Sequence, residues 1–190
     1  MKIACIGGGP AGLYFAISMK LLDPRHEVEV FERNAEGVTF GWGVVFSDQT
    51  VENLMANDPV SGRIIADEFA HWDDIDVHIN GSCVSSSGHG FIGIGRKRLL
   101  EILASRAGEL GVLIHYEHEC EPDLAAWQGW DLVVAADGIN SRFRDAYREH
   151  FGVDVQERAN RFVWLGTTKT FDAFTFAFEK TDAGWIWAHA

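Results

Sequence analysis

Six residues near the start constrain this chain more than any others. They are Gly7-Gly8-Gly9-Pro10-Ala11-Gly12, set directly after the apolar run Lys2-Ile3-Ala4-Cys5-Ile6. The run is too short for a helix and reads as a buried parallel strand. Gly7, Gly9 and Gly12 keep the spacing G-x-G-x-x-G. In that spacing the first glycine permits a tight turn and the second lets the backbone approach a pyrophosphate. The third lets a helix pack close to the strand. The helix that follows, with Leu13, Ala16, Ile17 and Leu21 as its apolar stripe, would aim its first amides and dipole at that anion. Asp23-Pro24 ends it, and Val28-Glu29-Val30-Phe31-Glu32 reads as the second strand of a βαβ unit. Glu32 follows Gly12 at the distance where an acid accepts hydrogen bonds from an adenosine ribose, which favours FAD or NAD over NADP. A surface glutamate at a strand end is the plain alternative.

The length of 190 residues allows a substantial core, and one domain with an appendage is the expectation. A net charge of −12 argues against a general nucleic-acid binder. It leaves room for local basic clusters, of which Arg96-Lys97-Arg98 and the set Arg142, Arg144 and Arg148 are two. No apolar run reaches the length of a membrane span, no leader peptide is legible at Met1, and the three scattered cysteines Cys5, Cys83 and Cys120 do not suggest a disulfide framework. A cytoplasmic location is expected.

In the middle of the chain, Gly41-Trp42-Gly43-Val44-Val45-Phe46 sets two glycines around a tryptophan before a strand-like run. It reads either as a turn beside a buried aromatic or as backbone passing close to a flat ligand. Ser47 or Asp48 can cap a short helix that Asp58-Pro59 closes. Within Trp72 to Ile79 the sequence alternates from Ile75 onward, with Ile75, Val77 and Ile79 on one face; Asn80-Gly81 is a hairpin signal, and Ser82-Cys83-Val84-Ser85 is the expected return strand. Ser86-Ser87-Gly88-His89-Gly90 is expected to be a flexible polar loop, so that about 72–95 forms a β insertion outside the parallel sheet. Arg96-Lys97-Arg98 opens a helix whose positive dipole end disfavours cations; a nearby phosphate would account for them, and a solvated charged turn is the plain alternative. His115 and His118 lie on a further strand-like stretch, Val112 to Glu117 and beyond, and are expected on opposite faces. No metal site is expected there or elsewhere.

Asp131-Leu132-Val133-Val134-Ala135-Ala136-Asp137-Gly138 is a second buried strand ending in an Asp-Gly turn, where ligands of a doubly wound sheet sit. Phe174, Phe176 and Phe178 then alternate with polar or small residues, and Asp182-Ala183-Gly184 turns into Trp185-Ile186-Trp187, a hairpin with one apolar face.

Taken together, Gly7-x-Gly9-x-x-Gly12 with Glu32, Arg96-x-x-Leu99 and Ala136-Asp137-Gly138-x-Asn140-Ser141 resemble the FAD-dependent aromatic monooxygenases of the p-hydroxybenzoate hydroxylase fold. Phe40-Gly41-Trp42-Gly43-Val44-Val45-Phe46, His71-Trp72-Asp73-Asp74-Ile75-Asp76, Gly88-His89-Gly90-Phe91 and Phe162-Val163-Trp164-Leu165-Gly166-Thr167 resemble the salicylyl-CoA 5-hydroxylases and the monooxygenase half of the 2-aminobenzoyl-CoA monooxygenase/reductases. The violacein-pathway hydroxylase shares part of this pattern. The resemblance implies an α/β fold: a Rossmann-like FAD-binding domain with a parallel sheet, over 1–160, plus part of an antiparallel β substrate layer from 161 to 190. A later Gly-Asp motif and further sheet of that family are not in the sequence, so the chain is expected to be an N-terminal part of a larger enzyme, inactive alone.

The resemblance further implies hydroxylation of an activated aromatic ring, free or as a CoA thioester, with NADH or NADPH and dioxygen through a flavin hydroperoxide. The cofactor-binding residues it implies are Gly7, Gly9, Pro10, Ala11, Gly12, Glu32 and Arg33 for the ADP half. Arg96, Asp137 and Gly138 would lie near the flavin, with Gly43 and Val44 beside its ring. Lys97, Arg98, Arg142 and Arg148 are candidates for the phosphates of a CoA substrate. No catalytic base is assigned, His78, His89 and His189 being equivalent on sequence. The rivals are another flavin enzyme on the same domain and a non-catalytic dinucleotide-binding module. The partner expected is a small aromatic molecule, with no nucleic acid and no membrane.

Overall fold

The computed structural model describes residues 1–190, and two sheets organise them. The elements in chain order are β1 (Lys2–Ile6), α1 (Pro10–Leu22), β2 (Glu27–Phe31), β3 (Gly43–Ser47), α2 (Asp48–Asn57), α3 (Pro59–Asp67), β4 (Ala70–Ile79), β5 (Ser82–Gly95) and α4 (Arg96–Glu109). They continue with β6 (Leu113–His115), a 3-10 turn (Leu124–Trp127), β7 (Leu132–Ala135), α5 (Arg142–Ala146), α6 (Arg148–Phe151), β8 (Phe174–Thr181) and β9 (Gly184–His189). No helix is long and apolar enough to cross a membrane.

The first sheet has the order β6-β2-β1-β7, and every pair in it is parallel. β1 sits inside it, and its side chains alternate between the two faces as strand geometry requires. Ile3 and Cys5 join Leu13, Ile17, Leu99 and Leu103 beneath α1 and α4, while Ala4 and Ile6 meet Phe31 and Phe143 on the other side. Both faces are covered, which explains a strand that is apolar throughout rather than alternating. Burial pushes the Cys5 thiol up to about 12, so it is an inert core residue.

The second sheet has the order β3-β5-β4-β8-β9. It is mixed: β3-β5, β5-β4 and β8-β9 are antiparallel, while β8 joins β4 in parallel from Ile75 against Phe174 to Ile79 against Phe178. The hairpin of residues 70–95 and the C-terminal hairpin are therefore one layer. The expected flexible loop at Ser86–Gly90 is instead inside β5, a continuous strand of 14 residues. Backbone pairing of Ser82–Ser87 with β4 outweighs the polar composition. The glycines absorb a register shift opposite Trp72 and Asp74, with Gly88 at φ +86°.

Helix α3 has no counterpart in the sequence reading, which took Asp58-Pro59 only as the end of α2. Asp58 serves both helices: its side chain accepts the Ser61 amide as N-cap of α3, and Pro59 occupies the first helical position. The same carboxylate, 1% exposed, accepts both Nε and Nη2 of Arg106 on α4, at 2.9 and 3.0 Å. Burial works to raise its pKa, but the hydrogen bonds from Arg106 and Ser61 hold it below the ordinary carboxylate value. A depressed folded-state pKa contributes stability above the unfolded value, near pH 4, that is lost as pH falls through the folded value. Asp58→Ala should lower the unfolding free energy by about 2–4 kcal/mol at neutral pH, because it strands a partly buried guanidinium and removes a cap. Urea titrations at pH 7 and pH 3 should show this deficit shrinking in acid.

Candidate functional site

The carboxyl ends of β1, β2 and β7 meet at one cleft, where the strand order reverses about β1. Gly7 turns the chain there with φ +108°, and its amide donates to the Phe31 carbonyl at 2.8 Å. Helix α1 starts at once, with Gly9 at its N-cap, Pro10 at its first position and no acidic residue in its first turn. The amides of Ala11 and Gly12 have no intrahelical acceptor. A Cβ on Gly12 would lie 2.0 Å from the Gly7 carbonyl oxygen, whereas one on Gly9 would meet nothing within 4 Å. Gly12 thus serves packing, and Gly9 faces open space in the cleft.

Two adjoining hollows make up this cleft, of about 520 and 440 Å³, and share Gly9, Glu32, Asn34, Phe40 and Arg96 in their walls. The first extends along α4 to Leu100, Ala104 and Tyr116; the second reaches Asp137, Gly138 and Trp164. Their arrangement suits an elongated ligand. Glu32 sits between them, just past the end of β2. Its Oε2 accepts the Gly8 amide at 2.7 Å, and its Oε1 accepts the Asn34 amide and Nδ2 at 2.8 and 2.6 Å. A carboxylate offers about four acceptor positions, so capacity for one further donor remains.

Arg96 lines both hollows. Its amide donates to the Trp42 carbonyl and its Nε to Thr39 Oγ1 at 3.0 Å, and it forms no ion pair. The basic triplet that opens α4 therefore divides by function. Arg96 and Lys97 face the first hollow, while Arg98 is bound by Glu68 and Glu101. At the far end, one oxygen of Asp137 accepts the Arg142 amide at 2.9 Å, and the other, Oδ1, is buried with no partner. An orphaned carboxylate oxygen on a residue that lines a cavity is a candidate acceptor for a ligand donor. Ser141 caps α5 through the Arg144 amide, which fixes the turn that holds Asp137.

The remaining residues singled out on sequence fall as follows. Gly7 and Arg33 line the second hollow; Pro10, Ala11 and Gly12 form the first turn of α1 behind it. Gly43 and Val44 do not reach either wall: Val44 packs against the core, and Gly43 begins β3. Of the cations set aside for substrate phosphates, Arg142 is held by Glu119 and Glu121, and Arg148 lies 3.8 Å from Asp145; only Lys97 is without an ion pair. His78, His89 and His189 are all absent from the cleft walls.

The expectation for His115 and His118 is corrected. β6 is only three residues long, and Glu117, at φ +54°, turns the chain so that both rings pack on Phe31, His115 stacked with centroids 4.8 Å apart and His118 tilted with centroids 5.1 Å apart. Cys120, in the second hollow, is pushed up to about 11 by burial, and further by the charges of Asp137 and Glu119. Sequence reasoning missed Asn34, Thr39, Phe40, Tyr116 and Trp164. Thr39 and Phe40 directly precede the Gly-Trp-Gly run, and Trp164 lies in the 162–167 stretch that carries the resemblance, signals that could have been followed; Tyr116 carries none.

The chain was then compared with known proteins. No family model matches it. Over its whole length it is 43% identical to a salicyloyl-CoA 5-hydroxylase from a Streptomyces species, covering 37% of that protein. It is 31% identical, again over its whole length, to a 3-hydroxy-4-methyl-anthranilyl-(aryl-carrier protein) 5-monooxygenase from Streptosporangium sibiricum, covering 53% of it. The chain thus spans about a third to a half of the length of these curated relatives. Among solved structures, CtdE in complex with FAD and a substrate superposes with a TM-score of 0.60 at 21% identity, over 77% of this chain and 40% of that one.

The chain has the FAD-dependent hydroxylase fold.

Within that fold the two glycines separate cleanly by role. Gly12→Ala should destabilise the protein by on the order of 3 kcal/mol, because its methyl group meets backbone that cannot yield. Gly9→Ala should leave the melting temperature within a few degrees of the parent while placing a methyl group in the cleft. Thermal unfolding of the two variants side by side checks the contrast.

Proposed function

We propose that this chain binds FAD in the cleft at the carboxyl end of its parallel sheet, as part of a flavin-dependent monooxygenase that hydroxylates an activated aromatic ring. The observation that carries the reading is the orphaned Asp137 Oδ1 in the same elongated cleft as the open Gly9 position, Glu32 and the unpaired Arg96. These groups suit the cofactor's parts in turn. The amides of Gly9, Ala11 and Gly12, with Gly7 and Pro10 shaping their turn, face a diphosphate. Glu32 accepts ribose hydroxyls, and Arg33 and Arg96 supply positive charge. Asp137 and Gly138 lie toward the flavin end. Residues 1–160 serve as the cofactor-binding unit and also supply β3, β5 and β4 of the second sheet, to which 161–190 add the β8-β9 hairpin of the substrate layer.

When bound, FAD supplies the redox and oxygen chemistry. The chain's own residues bind and orient it, with Phe40 and Trp164 as apolar parts of the cleft wall. Both relatives are named for an aromatic acyl group on a larger carrier, which supports a CoA or carrier-bound acyl substrate, with NADH or NADPH as reductant. A cytoplasmic location agrees with such substrates.

Titrating the chain with FAD, FMN and NAD while following flavin fluorescence and tryptophan quenching tests the binding half. FAD should bind, and Glu32→Ala should weaken it about 10–100-fold while leaving FMN, which has no adenosine ribose, unchanged. Circular dichroism on Glu32→Gln, which retains the carbonyl acceptor for Gly8 or Asn34, distinguishes a lost contact from a disrupted loop. Absence of FAD binding sinks the reading. In the longer protein that contains this chain, NADH oxidation should be stimulated by an aromatic acyl-CoA more than by the free acid; equal stimulation would remove the thioester from the proposal.

A further inference from the structure

The β4-β5 hairpin carries a second constellation, outside the cleft. Asn80 and Gly81 take φ +48° and +78°, the left-handed pair of a two-residue turn that fixes register. His78 is then directly opposite Cys83, and Asp76 opposite Ser85. Directly opposed residues share a face, as do residues two apart on a strand. Asp76, His78, Cys83 and Ser85 therefore project from the same side of the sheet. The neighbouring strand β8 places only Thr175 and Ala177 beside Asp76 and His78, so the space above them is open.

His78 Nε2 lies 3.6 Å from Cys83 Sγ, and a carboxylate oxygen of Asp76 completes a set whose ligand atoms all fall within 4.8 Å of one another. A tetrahedral zinc ion with Zn–S about 2.3 Å and Zn–N about 2.0 Å separates sulfur from nitrogen by about 3.5 Å. The His78–Cys83 pair already holds that spacing. Asp76, at a half-exposed position, has room to close the remaining distance. Ser85 Oγ donates to Asp76 Oδ1, the kind of outer contact that orients a metal-bound carboxylate.

We propose that Asp76, His78 and Cys83 form a zinc-class metal site across this hairpin, with water as the fourth ligand. Imidazole and thiolate select zinc, cobalt or copper over magnesium and calcium. The bound ion ties β4 to β5 near the tip of the hairpin. Binding displaces the thiol proton to solvent, and the contact present without metal is a weak hydrogen bond between Cys83 and His78. The other two thiols do not compete, since Cys5 is enclosed in the core and Cys120 lies in the cleft.

The test is a Co²⁺ titration of the reduced chain, free of flavin and chelators, followed by Zn²⁺. A single equivalent of Co²⁺ should bind with thiolate-to-metal charge-transfer absorption and d–d bands of tetrahedral intensity, and Zn²⁺ should abolish both. Cys83→Ser and His78→Ala should remove the charge-transfer band or weaken binding more than tenfold, Ser85→Ala should weaken it about tenfold, and Cys120→Ser should change nothing. No charge-transfer band, or a band that forms with unchanged affinity in Cys83→Ser or His78→Ala, overturns the site. Because FAD is absent throughout, the outcome is independent of the flavin proposal.

Discussion

The contact between Gly12 and the carbonyl oxygen of Gly7 sets the geometry on which the cleft depends. No side chain can stand between them, so α1 begins one tight turn after β1 and its first amides open at the sheet's carboxyl edge. That placement brings the helix start beside Glu32 at the end of β2 and beside Asp137 at the end of β7. A helix displaced outward by one methyl group would still cover the sheet, but its amides would no longer converge with the two carboxylates. Packing and ligand recognition share one constraint here.

Most of the parallel half was legible in the sequence because it rests on local signals. Strand β1, helix α1 and the Asp137-Gly138 turn each combine an apolar run with a glycine pattern that admits few conformations. Arg96 was legible as well, since a cation at a helix start needs a partner. What remained hidden was long-range. Asp58-Pro59 can start a helix as well as end one, but nothing local signals that the same carboxylate also grips Arg106, because that ion pair joins residues far apart in the chain. Similarly, Arg98 and Arg142 looked available as free cations until the fold supplied their carboxylates.

The second sheet shows the same limit from the other side. The alternation in residues 75–79 and the Asn80-Gly81 turn identified the hairpin, but the polar and glycine-rich stretch after it resembled a loop. Strand pairing decided otherwise, because backbone hydrogen bonds to β4 do not depend on side-chain polarity. The parallel junction between β4 and β8 has no sequence signature, and it turns two separate hairpins into one layer. One face of that layer is lined by Ile75, Val77, Phe174, Phe176 and Trp187; the opposite face carries Asp76, His78 and Cys83. The alternating period of two thus divides apolar from metal-ligating side chains.

That junction also governs how the chain acquires its shape during synthesis. Ile75 cannot find Phe174 until roughly a hundred further residues have been made, and closing so long a loop is entropically slow. The first sheet waits as well, since β7 must return to β1 from across the α4 segment. On an emerging chain the β4-β5 hairpin can form early, with one edge unpaired for the interval in which the rest is translated. The acidic side chains of β4, Asp73, Asp74 and Asp76, limit the tendency of that temporary edge to recruit another chain.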